Sequence, residues 1–239
     1  MTEPRPLASS VPLPDGAPDR SLDRSPAASA PFLEVRQLST RGRPAIDLQA
    51  QRGECICILG KSGSGKSVLL RLVADLDPGE GTVLLDGIDR NAGSGPAWRR
   101  RVIYQAAEPA WWGPTVAGHF PDDMRDVLAG WLVDVGLTGD ILQADIARLS
   151  TGERQRLALL RSLARKPAVL LLDEPTASLD QATTLAVEAL LGRQLAAGLA
   201  VLMVTHSVEQ AQRIGHRRFD MVEGRLVQQL QPNPQVNAA

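Results

Sequence analysis

The stretch that most constrains this chain of 239 residues is Gly60-Lys61-Ser62-Gly63-Ser64-Gly65-Lys66-Ser67. It follows five apolar residues, Cys55–Leu59, and opens the helix-forming run Ser67–Leu76, so it joins a buried strand to a helix. In that setting the glycines let successive backbone N–H groups turn inward and form a concave cradle for phosphate oxygens. The following helix presents its positive N-terminal end to the same charge. Lys66 is placed to reach the β- and γ-phosphates of a nucleotide, and Ser67 to ligate Mg²⁺.

A cradle of this kind needs a parallel sheet under it, and the rest of the body supplies one. Thr82–Leu85 followed by Asp86-Gly87 reads as a strand entering a turn. Arg154–Ala164 places Leu157, Leu160 and Ala164 on one helical face. Val169–Leu172 is a continuous apolar strand, the type buried on both faces of a parallel sheet. Asp180 caps a helix running to about Ala197, and Leu199–Thr205 is the next strand. The order is that of a doubly wound α/β domain.

Binding phosphate is not hydrolysing it. The strand Val169–Leu172 ends in Asp173-Glu174-Pro175, and adjacent residues at a strand end point different ways. One carboxylate can therefore hold Mg²⁺ while the other faces an attacking water. Asp173 takes the first role, Glu174 the second, as general base or water-orienting group.

Composition narrows the class of partner. A formal net charge of −1 leaves no electrostatic footprint for nucleic acid or anionic lipid. No stretch reaches the ~18 uninterrupted apolar residues of a membrane span, and Pro, Asp and Arg interrupt the N-terminus before a secretory apolar core can form. The expectation is a cytoplasmic chain whose membrane role comes through another subunit. Cys55 and Cys57 alternate along one strand and so share a face, as buried thiols of a reducing compartment. Residues 1–31, crowded with Pro, Ser and Ala, and 231–239, with two prolines, are expected to be loose; the body is 32–230.

The motifs together resemble the nucleotide-binding subunit of ABC transporters from about Phe32 to about Gln229. Leu149-Ser150-Thr151-Gly152-Glu153 resembles that family's LSGGQ signature and lies 20 residues before Asp173. The same residues read locally as a capping box, Ser150 to Glu153, over an amphipathic helix. Ser178-Leu179-Asp180 matches the family's D-loop, and His206, after the strand, its switch histidine at the γ-phosphate. The resemblance implies a RecA-like core, an antiparallel β subdomain and a small helical subdomain. It implies ATP with Mg²⁺, and a head-to-tail dimer of this chain or with a paralogous ATPase, each lending Ser150 and Gly152 to the other's nucleotide. It further implies an integral membrane permease partner, with the chain on the cytoplasmic face. Competing readings are a soluble ABC ATPase of the division type and a regulatory nucleotide binder with little turnover.

Two departures from the family stand out. Tyr104-Gln105-Ala106-Ala107-Glu108-Pro109 puts Ala107 where the family has the Q-loop glutamine. By strand alternation Gln105 points to the same face, about 7 Å short. Upstream of the phosphate loop, Thr40-Arg41-Gly42-Arg43 lacks the aromatic on which the family stacks adenine, leaving Arg41 or Arg43 to stack by cation–π contact and base-tolerant binding as the expectation. Trp111-Trp112 follows where the family grips its membrane subunit, and adjacent tryptophans in a loop are not easily both buried. The next residues, Gly113-Pro114-Thr115-Val116, are faintly similar to small exporter subunits, including those proposed for iron export.

Overall fold

The computed structural model describes residues 30–229. The segments expected to be loose therefore lie outside the described residues, except for residues 30 and 31. The chain opens with β1 (Leu33–Ser39), β2 (Ile46–Ala50) and β3 (Cys55–Leu59), then α1 (Lys66–Val73). A hairpin, β4 (Glu80–Leu85) and β5 (Ile88–Asp89), precedes α2 (Gly95–Arg101) and β6 (Val102–Gln105). A helical segment follows, with α3 (Arg125–Asp134) and α4 (Thr151–Ala164). The rest is β7 (Val169–Asp173), α5 (Gln181–Ala196), β8 (Ala200–Val204), α6 (Val208–Ile214), β9 (Arg217–Val222) and β10 (Arg225–Gln229).

Two sheets result. An antiparallel sheet has the order β2-β1-β4-β5, and its closing turn is written locally. Asp86 and Gly87 both take left-handed φ, 56° and 74°, between the paired residues Leu85 and Ile88. That is the twist a two-residue hairpin needs. The main sheet has the order β10-β9-β3-β8-β7-β6 and is parallel except for the β9–β10 hairpin.

Strands β3 and β8, apolar throughout, and β7, apolar up to its final Asp173, are buried along their whole length. Alternate side chains serve two cores. Ile56, Ile58, Leu171, Leu202 and Val204 pack with α1 and the antiparallel sheet. Cys55, Cys57, Leu170, Leu172, Val201 and Met203 pack with α3, α4 and α5. The two cysteines thus share a face, and the hydrogen bond between their thiols, followed by burial, pushes the Cys55 thiol upward. α4 is buried more widely than one stripe: Gln155, Leu159, Ser162 and Leu163 are covered along with Leu157, Leu160 and Ala164.

Because the central strands are parallel, the residues after β3, β7 and β8 emerge at one edge. Gly60, Glu174 and Thr205-His206 are those residues, and carboxyl edges of such sheets are where ligands bind. Among the described residues no helix is long and apolar enough to cross a membrane.

Candidate functional site: a nucleotide cleft at the carboxyl edge

The loop from Gly60 to Gly65 keeps its shape because three glycines take left-handed φ: 143° at Gly60, 76° at Gly63 and 110° at Gly65. At Gly60 a Cβ would also fall 2.6 Å from the Met221 carbonyl on β9, so no larger residue fits. α1 begins directly at Lys66 with no side-chain cap, which leaves its first N–H groups for a ligand. The Lys66 ammonium lies over the loop, donating to the carbonyls of Gly60 at 2.7 Å and Lys61 at 3.0 Å. Lys61, Ser62, Gly63 and Ser67 are exposed; Ser64 and Gly65 are half-buried.

Arg43 closes the outer side of the loop. Its guanidinium donates to the Ser64 carbonyl at 3.1 Å and lies against Gly65. Of the two arginines expected to stack on the base, Arg43 is engaged with the loop backbone and Arg41 is exposed.

Asp173 is buried and accepts a hydrogen bond from the Tyr104 hydroxyl at 3.0 Å. Burial first, and the Asp173 carboxylate second, push the Tyr104 phenol well above its ordinary value, so it stays a donor. The register explains the pairing. Tyr104 lies opposite Leu171, and Leu171 and Asp173 share one face of β7. Gln105 lies opposite Leu172, on the other face, and is buried where Ser162 of α4 donates to it at 3.4 Å. The expectation that strand alternation puts Gln105 on the face of the missing glutamine does not hold, since Gln105 faces α4, on the side away from Asp173. The strand ends at Gln105, so alternation cannot be carried on to Ala107. The Ala107 carbonyl instead accepts from Gln155 at 3.5 Å, and the Gln155 oxygen accepts from the Ser178 amide at 3.2 Å.

Glu174 takes a left-handed φ of 50° in front of Pro175, a conformation costing a non-glycine residue about 1 kcal/mol. Its amide is anchored on the Val204 carbonyl at 3.0 Å. That turn delivers its carboxylate to His206, with 2.7 Å between Glu174 Oε1 and His206 Nε2. His206 is half-exposed and stands between two hollows. One, of about 750 Å³, is lined by Gly60, Lys61, Ser62, Gly63 and Ser64; the other, of about 540 Å³, by Glu174, Thr176 and Leu179.

The signature residues lie elsewhere. Ser150 is the N-cap of α4 and the capping box is complete: its Oγ accepts from the Glu153 amide at 3.2 Å, and Glu153 Oε2 accepts from the Ser150 amide at 2.8 Å. Gly152 packs on its own D-loop, where a Cβ would fall 3.2 Å from Leu179 and 3.4 Å from the Ser178 carbonyl. Neither residue lines the hollow at the phosphate loop. Asp180 caps α5 through the Thr183 amide at 2.8 Å, as its sequence position implied.

A hydroxyl at Ser67 and a carboxylate at Asp173 are hard oxygen donors, and α1 packs on β7. Two such groups suit Mg²⁺, which keeps most of its shell as water and substrate phosphate. No cluster of three or more His, Cys, Asp or Glu occurs among the described residues, so nothing here forms an all-protein metal cage.

Tyr104 and Gln155 had no separate signal in the sequence, because each acts on a partner distant along the chain. The other half of the Q-loop region is aromatic. Trp111 packs on the helical core, whereas Trp112 is 66% exposed. The Arg161 guanidinium lies 4.4 Å above one ring and 4.8 Å above the other, and burial lowers its pKa to about 10. His119 wedges edge-on against both rings; Nδ1 donates to the Thr115 carbonyl while Nε2 accepts from the Trp112 and Gly113 amides.

The chain is similar to known proteins. The family model described as ABC transporter matches residues 44–177. The protein STAR1 of Oryza sativa subsp. japonica is 37% identical over 228 residues, spanning 87% of this chain and 65% of that protein. The aliphatic sulfonates import ATP-binding protein SsuB of Cupriavidus necator is 38% identical over 219 residues, spanning 84% of this chain and 71% of its own length. The phosphate import ATP-binding protein PstB 2 of Natronomonas pharaonis is 33% identical over 206 residues, spanning 77% and 72%. A solved ATP binding subunit of an ABC transporter superposes with a TM-score of 0.75 over 83% of this chain and 89% of that one; at 22% identity this speaks for the fold alone. The chain belongs to the ABC transporter family, as an ATP-binding subunit whose nucleotide-binding domain hydrolyses ATP.

Proposed function

We propose that the chain powers substrate translocation through a separate integral membrane permease, as half of a head-to-tail dimer that sandwiches two ATP molecules. The observation that carries this reading is the separation within one chain. Lys66, Asp173, Glu174 and His206 gather at one edge of the sheet, while Ser150 and Gly152 sit on α4, apart from that hollow. A second copy, or a paralogous ATPase, supplies the missing signature helix.

In this reading the loop amides and Lys66 hold the β- and γ-phosphates. Ser67 and Asp173 hold Mg²⁺, which when bound neutralises phosphate charge. Glu174 orients the attacking water and accepts its proton, and His206 contacts the γ-phosphate. Tyr104 keeps Asp173 turned to its task. The permease docks on the hollow of about 620 Å³ lined by Leu76, Ile103, Trp112, Arg161 and Arg165. An exposed tryptophan beside arginines is the composition of an interface anchor. That docking holds the chain on the cytoplasmic face of the membrane.

Purified Glu174→Gln protein is expected to be monomeric without nucleotide or with ADP, and dimeric with ATP·Mg²⁺, by light scattering after size exclusion. Ser150→Arg, which puts bulk and charge at the contact, is expected to abolish that dimer. A dimer indifferent to nucleotide or to Ser150→Arg would overturn the sandwich and favour the regulatory reading. ATP turnover by Glu174→Gln at the wild-type rate would overturn the role of Glu174.

A further inference from the structure

Behind Glu174 and His206 lies a buried polar chain that the motif reading does not touch. Gln210, on α6, is 2% exposed, and its side-chain amide reaches three other elements. Thr205, at the end of β8, donates its hydroxyl to Gln210 Oε1 at 2.8 Å. Gln210 Nε2 donates to the hydroxyl of Thr176 at 2.9 Å and to Glu188 Oε1 of α5 at 3.2 Å. Glu188 is in turn held by both arms of Arg213, each at 2.7 Å.

Thr205 is the residue before His206, and Thr176 stands two residues after Glu174, beyond a rigid proline. One amide therefore ties together the two backbone segments that carry the Glu174–His206 contact. Its orientation is determined rather than free. A carboxylate only accepts, so Glu188 forces Nε2 to its own side and leaves Oε1 to Thr205. Both Nε2 hydrogens and the oxygen are then used, and a fully satisfied buried network is stiff.

We propose that Gln210 is a positioning residue for hydrolysis: by clamping Thr176 to Thr205 it holds Glu174 and His206 in register with each other. Its side chain is bonded to Thr205 and Thr176 and acts on Glu174 and His206 through those neighbours. Its loss would leave the phosphate loop intact and let the two catalytic segments drift, and misplacement by about 1 Å costs up to ~100-fold in rate. The inference rests on the assignment of Glu174 and His206 as the hydrolytic pair.

The test is a swap. Gln210→Glu places a carboxylate against Glu188 with no proton donor between them. It is expected to lower kcat by about tenfold or more. KM for ATP and the ATP-dependent rise in melting temperature are expected to stay near wild type, which a merely structural role would not do. The double variant Gln210→Glu/Glu188→Gln restores one donor and one acceptor, and is expected to recover most of kcat. Should Gln210→Glu not fold, Thr205→Val and Thr205→Ser put the same question with less disturbance: valine loses turnover, serine keeps it. Wild-type kcat in Gln210→Glu or Thr205→Val, or a loss that the swap does not rescue, overturns the proposal. Glu174→Gln run in parallel separates the failures. If it turns over, the assignment of the pair is wrong; if it is inactive while Gln210→Glu is not, only the clamp is wrong.

Discussion

α1 and α4 both begin where a phosphate is expected, yet their first turns are built in opposite ways. α1 starts after Gly65 with no side-chain cap, and its first residue is a lysine. α4 starts at Ser150 with both hydrogen bonds of a capping box closed, and the box brings the carboxylate of Glu153 to the helix end. The first end is left for a ligand to complete, while the second is already satisfied by its own chain. The proposed nucleotide capture at α1 therefore needs only one chain. In the proposed dimer, the contribution of α4 to a neighbour's phosphate would come second, against a carboxylate already in place.

The largest test of this contrast is Lys66→Ala. It removes the cation over the cradle and is expected to abolish ATP-dependent thermal stabilisation, a shift that otherwise tracks ligand binding to the folded state. Full stabilisation in that variant would mean that α1 is not the capturing end. A smaller effect is expected at the metal side of the same cleft. Tyr104→Phe deletes a hydrogen bond to a carboxylate, worth roughly 1.5–3 kcal/mol. The Mg²⁺ concentration needed for half-maximal ATP-dependent stabilisation is expected to rise about tenfold, and an unchanged midpoint would leave Tyr104 a packing residue only.

The smallest effect belongs to α4. Glu153→Gln keeps the capping geometry and removes a negative charge from the helix end, where such charges interact by about 0.3–1 kcal/mol. In the Glu174→Gln background it is expected to strengthen the ATP-dependent dimer a few-fold, and weakening would break the comparison. The same residue sets a pH dependence. Hydrogen bonds from the Ser150 amide and then its hydroxyl hold the Glu153 carboxyl below its ordinary value. A lowered folded value means that its stabilisation is present above the ordinary glutamate range and is lost as pH falls through the folded value. Protection of the first-turn amides of α4, relative to their intrinsic exchange rates, is expected to fall across that acid window in wild type and not in Glu153→Gln.

What was legible in the sequence is what short stretches encode. The cradle needs glycines at fixed offsets because left-handed φ is required at Gly60, Gly63 and Gly65. The caps at Ser150 and Asp180 are local by construction, each joining a residue to the amide three positions on. Apolar strands β3, β7 and β8 announced a sheet buried on both faces. The face taken by Gln105 was misread, because alternation was carried past the end of β6 and only register against β7 decides which side a strand's residues take.

Tertiary structure alone decided the contacts that cross the sheet. Tyr104 meets Asp173 because β6 lies beside β7, Glu174 meets His206 because β7 lies beside β8, and Gln210 joins Thr176 to Thr205 because α6 folds back under both. No local pattern encodes strand order or which loops become neighbours at an edge. The motifs by themselves name the groups to which the proposed chemistry is assigned; the order β8-β7-β6 determines which of them touch. The physical reason is that a hydrogen bond is set by distance in space, and distance along the chain predicts it only within a turn or a helix.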